Sequence, residues 1–489
     1  MLSEEEQRYQ WIFHGNVVVP TGNPYDEMAL TRSSSGEDLD MTDPTIEVWL
    51  GPGLKLCLNH VIAVDYDGII VCMAHQDSWD LTPFQGKPNY VRLSTHEFVC
   101  PGFIDLHIHA PQFAFTGTAT DKPLLGPNGW LETYTFPAER SLKFDPKKAR
   151  STFDGVVRTT LRAGTTTACY FGTLDIEPCM ILVDIAIDLR QRAWVGKVCM
   201  DRNSPENYIQ STQQNIDETR SLIEYIHQRA GKEDSMELLP LVMPIITPRF
   251  IPTCTPQLMK ELGALAKEYN CHIQSHIAES TDEIQFSKYL DETTDGGGGR
   301  SDADIFDSHQ LLSNRCIMAH GVHLTDADLV LMKDRGAACS HCPLSNFFFA
   351  GKSLPCRKLM ERGNKVGLAT DVAGGYSPSM MNSQRMAVIA SHSLHHQKTR
   401  DDTQETILDY RHAFYLATLG GAQALGVDHK IGTLAVGMEL DAIILSANVN
   451  SQVQIFDTDS AGDVFQKLCT LGDDRNIKRV YVQGRDVTA

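Results

Sequence analysis

The chain changes its hydrophobic rhythm twice. Over residues 1–100 apolar positions come in short β-like runs, clearest at 16–19, 61–66, 68–73 and 97–100. The stretch 22–45 between them is polar and rich in Ser, Asp and Gly, which predicts an exposed loop. From about 101 to 430 short apolar runs alternate with longer amphipathic stretches, the pattern of βα units. Strands are expected at 103–109, 165–171, 194–200, 240–247, 271–276, 315–320, 337–340 and 365–370. Such a series fits a (β/α)8 barrel. Gly296 to Gly299 predicts a mobile surface loop after the fifth strand. After 430 the β pattern returns, at 440–445 and 479–483, with Gly432, Gly437 and Gly484 as turns. The class is α/β: residues 101–430 as a barrel, and residues 1–100 with 431–489 as one small β domain built from both termini.

One segment stands out chemically. Residues 103–111 read Phe-Ile-Asp-Leu-His-Ile-His-Ala-Pro. On a strand, positions i and i+2 share a face, with Cα atoms roughly 6.6 Å apart at a rise of ~3.3 Å per residue. His107 and His109 can therefore converge on one metal ion. Two surface histidines would give the same pattern, but Phe103, Ile104 and Leu106 make the strand a buried one, where an unpartnered imidazole is costly. Pro111 ends the strand and leaves both histidines at its C-terminal mouth, where barrel chemistry occurs. His276, His320 and Asp371 fall at other predicted strand ends, and Glu279 follows His276 by three residues.

Composition narrows the partners. The 489 residues are 42% apolar and 21% charged, as in an ordinary globular protein. A net charge of −19 argues against nucleic acid, which calls for a basic face. No apolar run is long enough for a membrane span. The acidic start Met-Leu-Ser-Glu-Glu-Glu lacks the features of a signal peptide, so a cytoplasmic protein is expected. Thirteen scattered cysteines read as reduced thiols, and the lone CxxC pair Cys339 and Cys342 is not expected to hold structural zinc.

Taken together, several segments resemble the amidohydrolase superfamily, and within it the members that deaminate guanine. They are 105–112 (Asp-Leu-His-Ile-His-Ala-Pro-Gln), 134–139 (Tyr-Thr-Phe-Pro-Ala-Glu), 247–250 (Thr-Pro-Arg-Phe), 274–279 (Gln-Ser-His-Ile-Ala-Glu), 318–321 (Met-Ala-His-Gly), 341–346 (His-Cys-Pro-Leu-Ser-Asn) and 370–375 (Thr-Asp-Val-Ala-Gly-Gly). The resemblance implies a distorted (β/α)8 barrel with a β-sandwich from both ends. It implies one Zn2+ per subunit, held by His107, His109, His276 and Asp371, with a coordination place left for water. Iron replaces zinc in some relatives. Binuclear members place a carbamylated lysine after strand four, where this chain has Pro248 and Arg249, so one ion is expected.

The resemblance further assigns Glu279 as proton shuttle, with Asp371 aiming the water and His320 orienting it and stabilising charge. For the substrate it implies contacts from Arg249, Gln112 and Phe250 beside His109, His276 and Asp371. A guanidinium fork suits the adjacent O6 and N7 acceptors of guanine. Gln112 can donate and accept, and Phe250 can pack on a ring. Relatives are commonly homodimers. Another heterocycle (8-oxoguanine, a pterin, a triazine, cytosine) and a non-catalytic scaffold remain open on sequence alone.

Overall fold

The computed structural model describes residues 8–25, 47–118, 120–126, 128–230, 238–294, 297–399 and 405–488. Most of the 22–45 segment, and Gly296, lie outside the described residues. The first strands are β1 (Trp11–Pro20), β2 (Glu47–Gly51), β3 (Leu54–Val64), β4 (Ile70–His75), β5 (Tyr90–Arg92) and β6 (Glu97–Pro101). The barrel strands follow: β7 (Phe103–His109), β8 (Thr165–Phe171), β9 (Arg192–Gly196), β10 (Val198–Cys199), β11 (Val242–Pro248), β12 (His272–Ile277), β13 (Cys316–His320), β14 (Ala338–His341) and β15 (Lys365–Leu368). The chain closes with β16 (Ala442–Ser446), β17 (Ile477–Val482) and β18 (Arg485–Asp486).

The barrel sheet runs β7-β8-β9-β11-β12-β13-β14-β15, every pair parallel, as the alternating apolar runs predicted. The expected strand at 194–200 is instead split. Lys197 interrupts it, buried, with its ammonium on Gln210 and Asn215, and β10 resumes pairing with β11 beyond it. Closure between the first and last strands is made by the segment after β15. Asp371 N–H donates to the His107 carbonyl and His109 N–H to that of Val372, both at 2.9 Å. Asp105 ties the same seam, accepting from the Thr370 N–H and hydroxyl. Barrel closure thus brings Asp371 beside the two histidines.

The second sheet is mostly antiparallel, ordered β18-β17-β16-β6-β1-β3-β2, with β4 on β3 and β5 on β1. It draws strands from both ends of the chain, as expected. Phe13, Val17, Ile62, Val99, Leu440, Ile444 and Tyr481 form a core of its own, while Val18, Leu56, Phe98, Ile443 and Leu445 pack into the main barrel core. One residue, Gly102, joins β6 to β7. A Cβ there would lie 2.2 Å from Thr166, so the crossing admits no side chain. All thirteen cysteines are free. Among the described residues no helix is long and apolar enough to cross a membrane.

Candidate metal centre and substrate pocket

The His-x-His strand is not regular. Its register with β8 shifts between Asp105 and Ile108, a β-bulge that resets which side chains share a face. Across this shift the His107 and His109 rings lie 4.9 Å apart, and both meet the His276 ring, at 4.8 and 5.2 Å. Asp371 Oδ1 sits 3.2 Å from His107 Nε2 and 3.6 Å from His109 Nε2. Potential ligand atoms of His107, His109 and His276 all fall within 4.8 Å of one another, as do those of His107, His320 and Asp371.

The hydrogen bonding leaves these nitrogens suited to a cation. His276 Nδ1–H donates to the Arg249 carbonyl at 2.6 Å, which leaves a lone pair on Nε2. That Nε2 faces His109 Nε2 at 3.1 Å. His107 Nε2 and His109 Nδ1 are buried without a hydrogen-bond partner. Burial, and then the neighbouring imidazoles and Arg249, hold all three rings well below the ordinary histidine range, so they are neutral ligands. Three neutral imidazoles and a carboxylate form a donor set suited to zinc.

Glu279 and His320 complete the polar wall. Glu279 is buried at the turn after β12, and burial, then Asp371, push its carboxyl up to about 8. It is therefore a carboxylic acid near neutrality, able to donate a proton. His320 lies between the two acids, with Nε2 3.7 Å from Glu279 Oε2 and 3.8 Å from Asp371 Oδ2. Its Nδ1–H donates to Asn346 Oδ1 at 3.1 Å, which fixes the ring. Ala278, His320 and Asp371 all adopt left-handed backbone, with φ of 47°, 72° and 50°. Non-glycine residues rarely do so, and such conformations gather at functional sites.

A single pocket is lined by His109, Gln112, Arg249, Phe250, His276, Glu279, His320 and Asp371, with Leu124, Trp130, Leu131 and Phe349 as apolar cover. His107 lies against it, in contact with four of its side chains, those of His109, His276, His320 and Asp371. The structure thus brings together every site residue expected from the sequence. It also adds one that sequence reasoning passed over. Glu139 is fully buried and holds the recognition side in place. Arg249 donates to both its oxygens at 2.8 and 3.2 Å, Tyr208 to one at 2.8 Å and Gln112 to the other at 2.9 Å. Arg249 also stacks over Phe136, 5.0 Å from the ring centre. Glu139 stands inside one of the resembling segments, 134–139, which was the available signal. Its place in a helix behind Pro137 reads by default as a solvated acid.

Among the described residues one other cluster has ligand chemistry. Glu47, Cys57 and His60 approach each other on the terminal sheet, but Lys55 already neutralises Glu47 at 2.5 Å.

Comparison with known proteins agrees with this geometry. The chain matches the Amidohydrolase family over residues 98–487. Guanine deaminase of Dictyostelium discoideum is 42% identical over 89% of this chain and 94% of its own length. That of Mus musculus is 40% identical over 90% and 94%. A crystal structure of guanine deaminase from C. acetobutylicum, with guanine bound in the active site, superposes with a TM-score of 0.79 at 27% identity, covering 97% of this chain and 99% of that one. The chain belongs to the amidohydrolase family, and within it to the guanine deaminases.

Proposed function

We propose that the chain hydrolyses guanine to xanthine and ammonia. The observation that carries this reading is a pocket in which His109, His276, Asp371 and the buried acid Glu279 face the same space as Arg249 and Gln112, with His107 against Asp371 in its wall. Held by His107, His109, His276 and Asp371, one zinc ion would supply the Lewis acidity that lowers the pKa of water toward ~7.

The remaining work falls to side chains. Glu279, protonated, delivers its proton to the ring nitrogen beside the amino-bearing carbon C2. As a carboxylate it takes one proton of the attacking water and hands it to the departing amine, then takes the remaining hydroxyl proton as the C2 carbonyl forms, which returns it to the acid. Asp371 and His320 Nε2 accept hydrogen bonds from that water and aim it. Arg249 offers its remaining N–H groups to the O6 and N7 edge, with Glu139 holding the guanidinium still. Gln112 is tied at both ends of its amide, to Glu139 and to the Ala373 N–H, and orients the opposite ring edge. Phe250 packs against the ring. A homodimer in the cytoplasm, with residues 1–100 and 431–489 as one composite domain, belongs to the same reading.

Ammonia release and the ultraviolet change from guanine to xanthine test it, on a panel with 8-oxoguanine, a pterin, a triazine and cytosine. Turnover should be confined to guanine within this panel, lost with a chelator and restored by zinc. Faster turnover of another heterocycle, or metal-independent turnover, would overturn it.

A further inference from the structure

Behind the pocket, the backbone that carries Glu279 is held by two carboxyl groups with no assigned role. After β12 the chain must turn sharply, and Ala278 does so in the left-handed region. Its N–H donates to Asp302 Oδ2 at 3.0 Å and its carbonyl accepts from the His323 N–H at 3.0 Å. The next N–H, of Glu279, donates to Glu283 Oε2 at 2.7 Å. Glu283 sits in helix Thr281–Glu292, capped by Ser280, and Asp302 opens helix Asp302–Ser308. Two separate helices therefore converge on two adjacent peptide groups.

Both acids are at least 96% buried, and the charges acting on them are other acids: Asp302 and then Glu279 on Glu283, and Asp328 on Asp302. Glu283 Oε1, Asp302 Oδ1 and Ser287 Oγ make no hydrogen bond to any other group, and the Glu283 and Ser287 side chains stand close enough to act on the Asp302 carboxyl as hydrogen-bond donors. Two ionised carboxylates cannot share such a place, whereas one proton between them makes one a donor and leaves the other an acceptor. Burial raises Glu283 well above the carboxylate range and Asp302 to about 6, in line with a retained proton.

We propose that Glu283 and Asp302 are positioning residues that share one proton, clamp the N–H groups of Ala278 and Glu279, and so aim the Glu279 carboxyl into the pocket. Neither touches the substrate. The inference rests on the proposed deamination for its kinetic test but not for its structural one. The physical expectation is specific. An amide at 283 keeps an acceptor for the Glu279 N–H and donates permanently to Asp302, so it mimics the protonated pair. A methyl group does neither.

The test compares Glu283→Gln with Glu283→Ala in the zinc-loaded full chain. Glu283→Ala should lose roughly 10- to 100-fold in kcat, the range for groups that support catalytic ones from behind, with KM for guanine and zinc content unchanged. Glu283→Gln should keep most of the activity. Equal damage in both variants, or a risen KM with kcat preserved, would overturn the proposal. Should Glu283→Ala fail to fold, Asp302→Ala against Asp302→Asn poses the same question. A crystal structure of the alanine variant gives the substrate-independent answer. Displacement of the Glu279 carboxyl from the pocket supports the clamp, and an unmoved Glu279 refutes it. If wild type proves inactive on guanine, the proposed function fails while this arm still decides.

Discussion

Two buried polar clusters sit at different places in the barrel and are built on opposite principles. At the start of β9, Arg192 is fully buried and all five of its guanidinium N–H groups are used. Nε and Nη2 hold Asp441 at 2.8 and 3.1 Å, Nη2 also holds Glu439 at 2.9 Å, and Nη1 donates to the carbonyls of Leu239 and Pro240. The carboxylates are used as well: Glu439 accepts the Leu239 N–H and Asp441 the Gln483 N–H. This cluster fastens the barrel to the segment that leads into β16. At the C-terminal ends of the strands the ligand nitrogens have the reverse condition. His107 Nε2 makes no hydrogen bond although Asp371 Oδ1 lies 3.2 Å away, the Nε2 atoms of His109 and His276 face each other, and three residues hold left-handed backbone. A saturated buried charge is structural, whereas buried polar atoms left open beside strained backbone mark the place where something must bind.

The sharpest way to break this division is to change one acid on each side. Glu279→Gln should cost roughly 100- to 10,000-fold in turnover, the span of general acid–base catalysis, with zinc content and the unfolding midpoint unchanged. If stability fell instead and turnover survived, the acid would belong with the structural cluster. Steady-state kinetics beside denaturant unfolding reads both outcomes.

Arg192→Met reverses the expectation. It leaves Glu439 and Asp441 buried without their cation, so stability should fall by about 3–5 kcal/mol. The kinetic constants of the folded fraction should stay as they are. Adding Glu439→Gln and Asp441→Asn should return part of the loss, since the uncompensated charges are then gone. A changed KM in the single variant would show that the two clusters are coupled and that the division is wrong.

The sequence spoke unequally for these two clusters. The ligand histidines announced themselves because one strand carries two of them at i and i+2, a short-range pattern that survives without tertiary information. All eight barrel strands were legible as apolar runs for the same local reason, the third with shifted bounds. The Arg192 cluster joins residues nearly 250 positions apart, and no local pattern marks an arginine that will be buried. Glu139 and the Glu283–Asp302 pair escaped in the same way, because an acid near a helix start reads as a favourable solvated charge. Lys197 broke the expected strand at 194–200 because its burial required side-chain partners from the loop and helix beyond, Gln210 and Asn215.

Arg249 is the residue on which the division can be sharpened most finely, since it shares features of both sides. Like Arg192 it is buried and paired, with Glu139 taking one donor from each Nη. Unlike Arg192 it lines the pocket and keeps donors in reserve. Alanine would confound the two roles, because it strands Glu139 as an unpaired buried charge. Lysine separates them. Its ammonium can still neutralise Glu139, while the planar fork for the purine edge and the stacking on Phe136 are lost. Arg249→Lys should therefore keep zinc content and nearly all stability, and lose about 1–3 kcal/mol in kcat/KM for guanine through a higher KM. A variant that instead loses stability and keeps its KM would place Arg249 with Arg192, and substrate recognition would have to rest on Gln112 and the apolar cover of the pocket.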